Sequence, residues 1–346
     1  ADETFDLGKG KSAALAEEKG TQRLYLDFVK ELCEYVVSKG KTPMFWGDII
    51  CEFPEAVQEL PKETICLNWG YDADWPEDST RKLAEAGARL YNCPGVSGWD
   101  QLVNQIRVSY KNISRMCQYA SKYHAEGLLN TDWGDCGHIN HPDFSLSGMI
   151  YGAAFSWNLD IPEFEDINRQ ISRVAYGDET ETLVSVLARI SESWKFTWRN
   201  AVDFLEHSGL KLEEMGNPAD RKLLLGELEK LEKIEDPKVY QQAEQDLENI
   251  GQELYAAVAH LPIGRRGEIR AYLIAVQGMI LLQRIGAALA DANREERWNL
   301  AEELEYWLYD YKKLWRSVSR EAELHRIEHV ICQYADWLRT LGRITD

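Results

Sequence analysis

Residues 64–69 read TICLNW, a short apolar run that follows two charged residues and ends at a glycine. Three comparable runs lie nearby: TPMFW at 42–46, ARLY at 88–91 and GLLNT at 127–131. Short continuous apolar runs that are bounded by Gly, Pro or Asp are typical of strands buried on both faces of a parallel sheet. Each run therefore predicts one strand.

The segments between these runs are amphipathic and long enough for crossover helices. They cover residues 20–38, 78–86 and 100–123. Strands that alternate with helices indicate an α/β architecture with a parallel sheet.

From about residue 162 onward, Gly and Pro become rarer and apolar residues recur at spacings of three and four. Two such stripes are Leu183, Leu187, Ile190, Trp194 and Trp198, and Leu304, Leu308, Tyr311, Trp315 and Val318. This spacing is typical of amphipathic helices. We therefore predict two domains, an α/β domain over residues 1–161 and an all-α domain over residues 162–346.

Composition narrows the classes of partner. The 346 residues carry 39 Lys and Arg against 58 Asp and Glu, a net charge of −19, which repels nucleic acid and anionic lipid. No apolar run approaches the roughly 18 residues that a spanning helix needs, so a membrane protein is not expected. The seven cysteines are odd in number and scattered, which favours a reducing, cytoplasmic compartment.

Every predicted strand ends at or just before an aromatic residue, and carboxylates accompany most of them. These residues are Trp46 and Asp48, then Trp69, Tyr71 and Asp72, then Tyr91 and Trp99, and finally Asp132, Trp133 and Asp135. The C–H faces of a pyranose pack on aromatic rings, and its hydroxyls are bound by charged acceptors. In a parallel barrel, chemistry lies where strands end. We therefore expect a sugar ligand.

A series of short motifs adds a specific likeness. In chain order they are Asp2-Glu3, Phe45-Trp46, Asn68-Trp69, Leu90-Tyr91, Ser97-Gly98-Trp99 and Trp133-Gly134-Asp135. The series resembles glycoside hydrolase family 20, the β-N-acetylhexosaminidases, from the acidic pair at the end of barrel strand four to the end of strand eight. The stretches YNCPGVSGW at 91–99 and TDWGDCGH at 131–138 look like one bacterial branch of that family.

The resemblance implies a partial (β/α)8 TIM barrel over residues 1–161, followed by the helical domain. Strands one to three, with their substrate-binding Arg, Asp and His, would be missing. Half a barrel leaves parallel edges open, which favours aggregation or pairing. We therefore expect a longer native product, or a complementary barrel half from a second chain or a second copy, or the helical domain folded over the gap.

The family's roles can be transferred to matching positions. Glu3 would be the general acid and base, and Asp2 would orient the substrate's 2-acetamido group, whose oxygen attacks carbon one in place of a protein nucleophile. Tyr91 would donate a hydrogen bond to that oxygen. The implied reaction is retaining exo-hydrolysis of terminal β-linked GlcNAc or GalNAc, with no cofactor and no metal.

The remaining site residues would shape the sugar pocket. Trp46, Trp69 and Trp99 would form the wall of a pocket around the acetamido methyl group, Trp133 would form the floor under the ring, and Asp135 would bind the hydroxyls at carbons four and six. Two positions depart from the family: Cys93 replaces its usual acid, and Asp135 replaces the commoner Glu. The preference between GlcNAc and GalNAc therefore stays open.

Four alternatives remain from the residues alone. Asp135, Cys136, His138 and His141 could bind a metal, although their spacing lacks a standard zinc motif. Cys93 could be a nucleophile, although no base is evident. The chain could bind N-acetylhexosamine without turnover, as an inactive fragment or a lectin-like protein. Glu3 is the residue that distinguishes this alternative from an enzyme. The helical half could serve self-association.

Overall fold

A computed structural model describes residue 3 and residues 6–208, 236–290 and 297–341. The chain divides into two compact units that alternate along the sequence. Unit 1 comprises Ala1–Val96, Arg107–Thr131 and Gly148–Ile161, and unit 2 comprises Ser97–Ile106, Asp132–Ser147 and Pro162–Asp346. The split into domains at residues 161 and 162 stays a prediction.

Unit 1 contains a four-stranded parallel sheet in the order β1-β2-β3-β4. The strands are β1 (Met44–Trp46), β2 (Ile65–Trp69), β3 (Arg89–Cys93) and β4 (Gly127–Leu128). The predicted mixed α/β architecture is confirmed at this level. The outer strands β1 and β4 each have one strand partner among the residues that the structure describes.

Five helices connect or flank these strands within the described part of the chain up to residue 161. They are α1 (Ala13–Lys19), α2 (Thr21–Ser38), α3 (Asp78–Glu85), α4 (Ile106–Lys122) and α5 (Leu146–Trp157). The helix expected over residues 100–123 begins six residues later than predicted. Its expected start includes Asp100, whose φ of 59° lies in the left-handed region and is incompatible with an α-helix.

The two faces of the sheet carry different side chains because successive residues of a strand point to opposite faces. Phe45, Cys66 and Leu90 belong to a core cluster that also includes residues of α2, such as Leu26 and Val29. A separate, smaller cluster holds the residues that alternate with them, and two of the four predicted sugar-binding tryptophans, Trp46 and Trp69, pack against it. The strand pattern therefore separates a structural face from a face that is open to function.

Unit 2 is mainly helical. Its described helices are α6 (Phe164–Tyr176), α7 (Leu183–Ile190), α8 (Trp198–Ser208), α9 (Pro237–Ala257), α10 (Ile269–Ala290), α11 (Arg297–Val318) and α12 (Leu324–Leu341). Helix α10 packs between α9 and α11, and α11 packs against α12. The stripe from Leu304 to Trp315 is buried in α11, whereas Val318 at its end is 46% exposed.

The stripe from Leu183 to Trp198 does not form one helix. Helix α7 ends at Ile190, and α8 begins at Trp198. Between them the backbone N–H groups of Lys195 and Phe196 donate to the side-chain oxygen of Gln283 at 2.8 and 3.0 Å. An uninterrupted helix would use those N–H groups internally, so the Gln283 contacts explain the break.

One helical segment corrects the expectation that no apolar run could span a membrane. Residues Ile263–Ala290 are long and apolar enough, with a mean hydropathy of 1.6 over an 18-residue window. That window is 67% buried within the protein, and core helices satisfy the same criterion. The sequence reading missed the segment because isolated polar residues, such as Gln277 and Arg284, interrupt it.

Candidate functional site

The predicted site residues are divided between the two units, and unit 1 carries one strand-borne group. The strand register aligns Trp46 with Leu67, Leu67 with Tyr91, and Tyr91 with Gly127. Residues that are aligned across a parallel sheet point to the same face. Trp46 and Tyr91 therefore lie on one face, two strands apart, opposite the face that packs on α2.

Trp69 joins this group. It pairs in register with Cys93, and Trp46, Trp69 and Tyr91 all pack against the small buried cluster of Ile65, Leu67 and Cys93. Each of the three aromatic side chains is only partly buried. The structure thus brings together three of the residues that the sequence assigned to the acetamido pocket.

Gly127 makes room for Tyr91, and the sequence reading did not identify this role. A Cβ atom added to Gly127 would lie 2.8 Å from the ring of Tyr91, closer than real Cβ contacts. A glycine within a strand often marks such a close approach. The signal was present in the sequence, since a glycine begins the fourth apolar run.

A second aromatic residue extends the surface around Trp69. The ring of Tyr71 stacks on Trp69 with centroids 5.2 Å apart and an angle of 20° between the planes. The indole Nε1 of Trp69 is buried and has no hydrogen-bond partner among the described residues. The two stacked rings form one continuous aromatic surface.

The acidic pair is described only in part. Asp2 lies outside the described residues, whereas Glu3 is exposed, and its backbone N–H donates to Oδ2 of Asp48 at 2.9 Å. Asp48 follows β1 by two residues, at the edge of the sheet where the strands end. This hydrogen bond therefore places the backbone of Glu3 at the strand-end edge, where a parallel α/β fold carries its chemistry.

Asn112 on α4 fixes the loops after two strands. Its side-chain Nδ2 donates to the carbonyl oxygens of Gly70 at 2.9 Å and Asp72 at 3.0 Å, and its Oδ1 accepts from the N–H of Gly95 at 3.1 Å. Asn112 is fully buried. The sequence analysis did not identify Asn112. A polar side chain within the apolar face of a helix, here next to Ile113, could have indicated a buried hydrogen-bonding role.

Unit 2 carries the loop-borne group of predicted residues. Trp99 lies on the loop within Ser97–Ile106, and Trp133 and Asp135 lie on the loop within Asp132–Ser147. Trp133 is half-buried, and Asp135 is exposed at its surface although neighbouring groups partly shield its carboxyl from water. These residues lie on irregular backbone, so strand register does not determine their positions.

Both loops contain non-glycine residues in the left-handed region. Ser97 and Asp100 have φ values of 50° and 59°, and Cys136 and His138 have values of 48° and 53°. Such residues cost about 1 to 3 kcal/mol each and persist only where surrounding contacts hold them. The loops therefore depend on their neighbours in unit 2 for their conformation.

The two loops are joined to each other by side-chain hydrogen bonds. Nδ2 of Asn104 donates to Oγ of Ser145 at 3.2 Å, and that hydroxyl donates to Oδ2 of Asp132 at 2.5 Å. Nδ2 of Asn140 also donates to the carbonyl oxygen of Gln101 at 3.3 Å. The Trp99 loop and the Trp133 loop therefore form one connected assembly within unit 2.

Charged groups surround Asp135. Partial burial raises the pKa of this carboxyl, and the negative charge of Asp100 adds to the rise, while Arg199 and His138 oppose it. Burial and a hydrogen bond with Asp100 raise the pKa of the Cys136 thiol to about 12. Asp135 thus titrates at a higher pH than an ordinary Asp, whereas Cys136 is a neutral thiol near pH 7.

Two alternative readings lose support from the geometry. Among the residues that the structure describes, no three His, Cys, Asp or Glu side chains come together as a metal site, including Cys136, His138 and His141. Cys93 is fully buried, and burial raises its pKa to about 12. Because the thiolate is the nucleophilic form, such a cysteine is a poor nucleophile at neutral pH.

Comparisons with known proteins give no family assignment for this chain. No family model matches the sequence, and a search of curated proteins gives no significant match.

Proposed function

We propose that this chain belongs to a retaining exo-β-N-acetylhexosaminidase that releases terminal β-linked GlcNAc or GalNAc. The observation that carries the proposal is the clustering of Trp46, Trp69 and Tyr91 on one sheet face. An aromatic wall with a single tyrosine hydroxyl suits an acetamido group, which combines an apolar methyl with one carbonyl acceptor. The position of Glu3 beside Asp48 gives further support.

The proposed reaction needs no protein nucleophile. Glu3 donates a proton to the leaving glycosidic oxygen while the acetamido oxygen attacks carbon one and forms an oxazolinium intermediate. Glu3, now a carboxylate, then accepts a proton from a water molecule as the water oxygen attacks carbon one. This step opens the oxazolinium ring and returns Glu3 to its protonated form. Asp2 accepts the acetamido N–H, and the Tyr91 hydroxyl donates to the acetamido oxygen, so both groups orient the attack.

We propose separately that the loop-borne residues of unit 2 bind a sugar ring. Trp99 and Trp133 supply apolar surface for its C–H faces. Asp135 accepts hydrogen bonds from ring hydroxyls, and it does so best when ionised. Because partial burial raises the pKa of Asp135, we expect sugar affinity to fall on acidification at a higher pH than for an ordinary Asp.

The decisive experiment measures release of a chromogenic aglycone from a β-linked N-acetylglucosaminide by the full chain and by Glu3→Gln. We expect kcat to fall by about 10²-fold to 10⁴-fold in the variant, the usual contribution of general acid–base catalysis. Glu55→Gln is the matched control, since Glu55 is also an exposed glutamate of unit 1. Equal activity of Glu3→Gln and the unmutated chain would contradict the proposal.

The same assay separates the enzyme from the lectin-like alternative. If the unmutated chain binds N-acetylglucosamine but releases no aglycone, the alternative of a non-catalytic N-acetylhexosamine-binding protein is favoured. A 2-hydroxy analogue of the substrate supplies the second comparison, because it lacks the acetamido nucleophile. Comparable turnover of both substrates would contradict substrate-assisted catalysis.

We also propose that the sheet of unit 1 is one half of a (β/α)8 barrel that a complementary half completes. The outer strands β1 and β4 each have a single strand partner within the described chain. On α2, Phe28, Leu32 and Tyr35 are exposed by 61%, 48% and 62%. Their spacing of four and three places them on one helix face, next to which another βα unit would pack.

Light scattering of the purified chain tests this interface. A second copy as partner predicts a mass of about twice the 39.8 kDa of one chain, reduced by Leu32→Glu. Val174→Glu is the control, because Val174 is an exposed aliphatic residue of α6 in unit 2. A fully active single chain of 39.8 kDa would contradict the need for a complementary half.

A further inference from the structure

The first turn of α8 is fixed by local hydrogen bonds. The hydroxyl of Thr197 accepts from the N–H of Asn200 at 3.1 Å, and Oδ1 of Asn200 accepts from the N–H of Thr197 at 2.9 Å. This reciprocal arrangement is a capping box, with Asn in place of the usual Glu or Gln. It satisfies helix N-terminal donors and defines where the helix begins.

A buried glutamine anchors the segment just before this turn. Besides accepting from Lys195 and Phe196, Gln283 of α10 donates from Nε2 to the carbonyl oxygen of Phe196 at 2.9 Å. Gln283 is fully buried in the helical core of unit 2. The start of α8 is therefore held both by its own cap and by the core helix.

From this fixed turn, two successive residues reach the two site loops. The indole Nε1 of Trp198 donates to the carbonyl oxygen of Cys136 at 2.9 Å, in the loop that carries Trp133. The Arg199 guanidinium donates to Oδ2 of Asp100 at 3.1 Å, directly after Trp99. Each contacted residue, Cys136 and Asp100, has a positive φ and requires outside support.

Asp203 completes the arrangement one turn further along α8. Its Oδ2 accepts from Nε of Arg199 at 2.7 Å, so the guanidinium is held by Asp203 while it bonds Asp100. Trp198 is fully buried, and Arg199 remains half exposed. Trp198 thus packs inside unit 2, whereas Arg199 places its charge at the surface.

We propose that Trp198 and Arg199 are positioning residues that hold the Trp99 loop and the Trp133–Asp135 loop in the conformation that binds the sugar ring. This inference rests on the proposed function and deepens it, because it gives the helical half a role in the site. Trp198 acts through the backbone of Cys136, and Arg199 acts through Asp100. Neither residue needs to touch the sugar.

The chain offers a matched control pair for the test. Trp315 and Arg316 are also successive residues of a helix, α11, and Nε1 of Trp315 donates to the carbonyl oxygen of Arg320 at 2.7 Å. Arg316 pairs with Glu321, and its side chain is 50% exposed, close to the 51% of Arg199. The two polar partners, Arg320 and Glu321, lie in the segment that directly follows α11.

The first measurement is amide hydrogen exchange in the full chain. We expect Trp198→Phe and Arg199→Gln each to speed exchange at residues 97–106 and 132–147 by about tenfold or more, because a local contact that holds these amides is removed. Trp315→Phe and Arg316→Gln should leave those segments unchanged. Unchanged exchange in the α8 variants, or equal acceleration in both pairs, would overturn the inference.

The second measurement is binding and turnover of a β-linked N-acetylglucosaminide. We expect Arg199→Gln to raise KM about tenfold with a smaller change in kcat, since the variant disturbs ring binding and leaves Glu3 in place. Loss of the Arg199 charge should also raise the pKa of Asp135. The positive charge of Arg199 lowers this pKa, and without it only His138 opposes the increase that Asp100 causes. The acid limb of kcat/KM should therefore move to higher pH in Arg199→Gln and stay in place in Arg316→Gln.

The two measurements fail independently. Faster exchange in the loops without any sugar binding by the unmutated chain would refute the proposed function but would still show that Trp198 and Arg199 hold the two loops. Sugar turnover by the unmutated chain with the same KM in Arg199→Gln and Arg316→Gln would refute the positioning role and leave the proposed function intact.

Discussion

The two groups of predicted site residues are held in place by different means. Trp46, Trp69 and Tyr91 lie on regular strands, and the hydrogen-bond register of the sheet sets which face each one occupies. Trp99 and Trp133 lie on loops that contain left-handed residues and bond to side chains from other parts of unit 2. Strand-borne positions follow from local sequence, whereas loop-borne positions depend on contacts distant in sequence.

This difference predicts where a mutation will act. A change on a strand should alter the chemistry of the side chain concerned and leave its neighbours in register. A change that releases a loop should disturb several binding residues together, because the two loops are joined by hydrogen bonds such as the one from Asn104 to Ser145.

Among changes that compare the strand-borne and loop-borne groups, the largest effect is expected for Tyr91→Phe, which removes one hydroxyl from the strand-borne group. We expect kcat for the chromogenic hexosaminide to fall by about 10²-fold, the usual cost of losing one preorganised donor at a developing charge. Tyr119→Phe is the control, since its hydroxyl donates to the carbonyl oxygen of Trp75 at 3.2 Å and is unrelated to the proposed chemistry. Equal kcat values for the two variants would remove Tyr91 from the mechanism.

A smaller effect, on stability, is expected for Asn112→Ala. The change leaves the carbonyl oxygens of Gly70 and Asp72 and the N–H of Gly95 without their partner. We expect the free energy of unfolding to fall by about 2 kcal/mol, because unsatisfied buried polar groups retain their desolvation cost. Urea denaturation measures this change.

Ser114→Ala provides the control for Asn112, because Ser114 is on the same helix and its exposed hydroxyl bonds only the local carbonyl of Lys111 among the described contacts. We expect a change within about 0.5 kcal/mol for this variant. A loss for Asn112→Ala no larger than that of Ser114→Ala would show that the loops after β2 and β3 do not depend on this side chain.

The smallest effects should come from one pair of glycine variants. Gly127→Ala brings a Cβ to 2.8 Å from the Tyr91 ring, and we expect a loss of about 1.5 kcal/mol from overpacking. Gly137→Ala places a Cβ at a φ of 83° in the loop, 3.3 Å from Ile327, and we expect a loss of about 1 kcal/mol. Thermal unfolding compares the two variants.

Activity separates these glycine variants further. Gly127→Ala should lower kcat because the displaced ring is that of Tyr91, whereas Gly137→Ala should raise KM because the displaced loop carries Trp133 and Asp135. The reverse pattern would contradict the division between a strand-borne catalytic group and a loop-borne binding group.

Much of unit 1 could be predicted from sequence because its signals are local. The apolar runs at 42–46, 64–69, 88–91 and 127–131 each overlap a strand, and their order along the chain equals their order in the sheet. The period of two within a strand then decides which side chains share a face. The grouping of Trp46 with Tyr91 comes from the family resemblance, because the register between strands, which places them on one face, cannot be read from the sequence.

The helical part was harder to predict because distant residues override its local pattern. The apolar spacing from Leu183 to Trp198 indicates a single helix, and the chain breaks there because Gln283, far away in sequence, bonds the intervening backbone. The bonds from Trp198 and Arg199 to the site loops have no local signature either. Such long-range polar contacts are decided by packing, which one sequence does not reveal.

The assignment of Ser97–Ile106 and Asp132–Ser147 to the helical unit has a consequence for how the chain can evolve. A recombination event that exchanged everything after residue 161 for an unrelated sequence would also remove the supports of two segments encoded upstream. The helical half therefore could not be replaced independently of those two segments. Changes in it and in those two upstream segments should be inherited together.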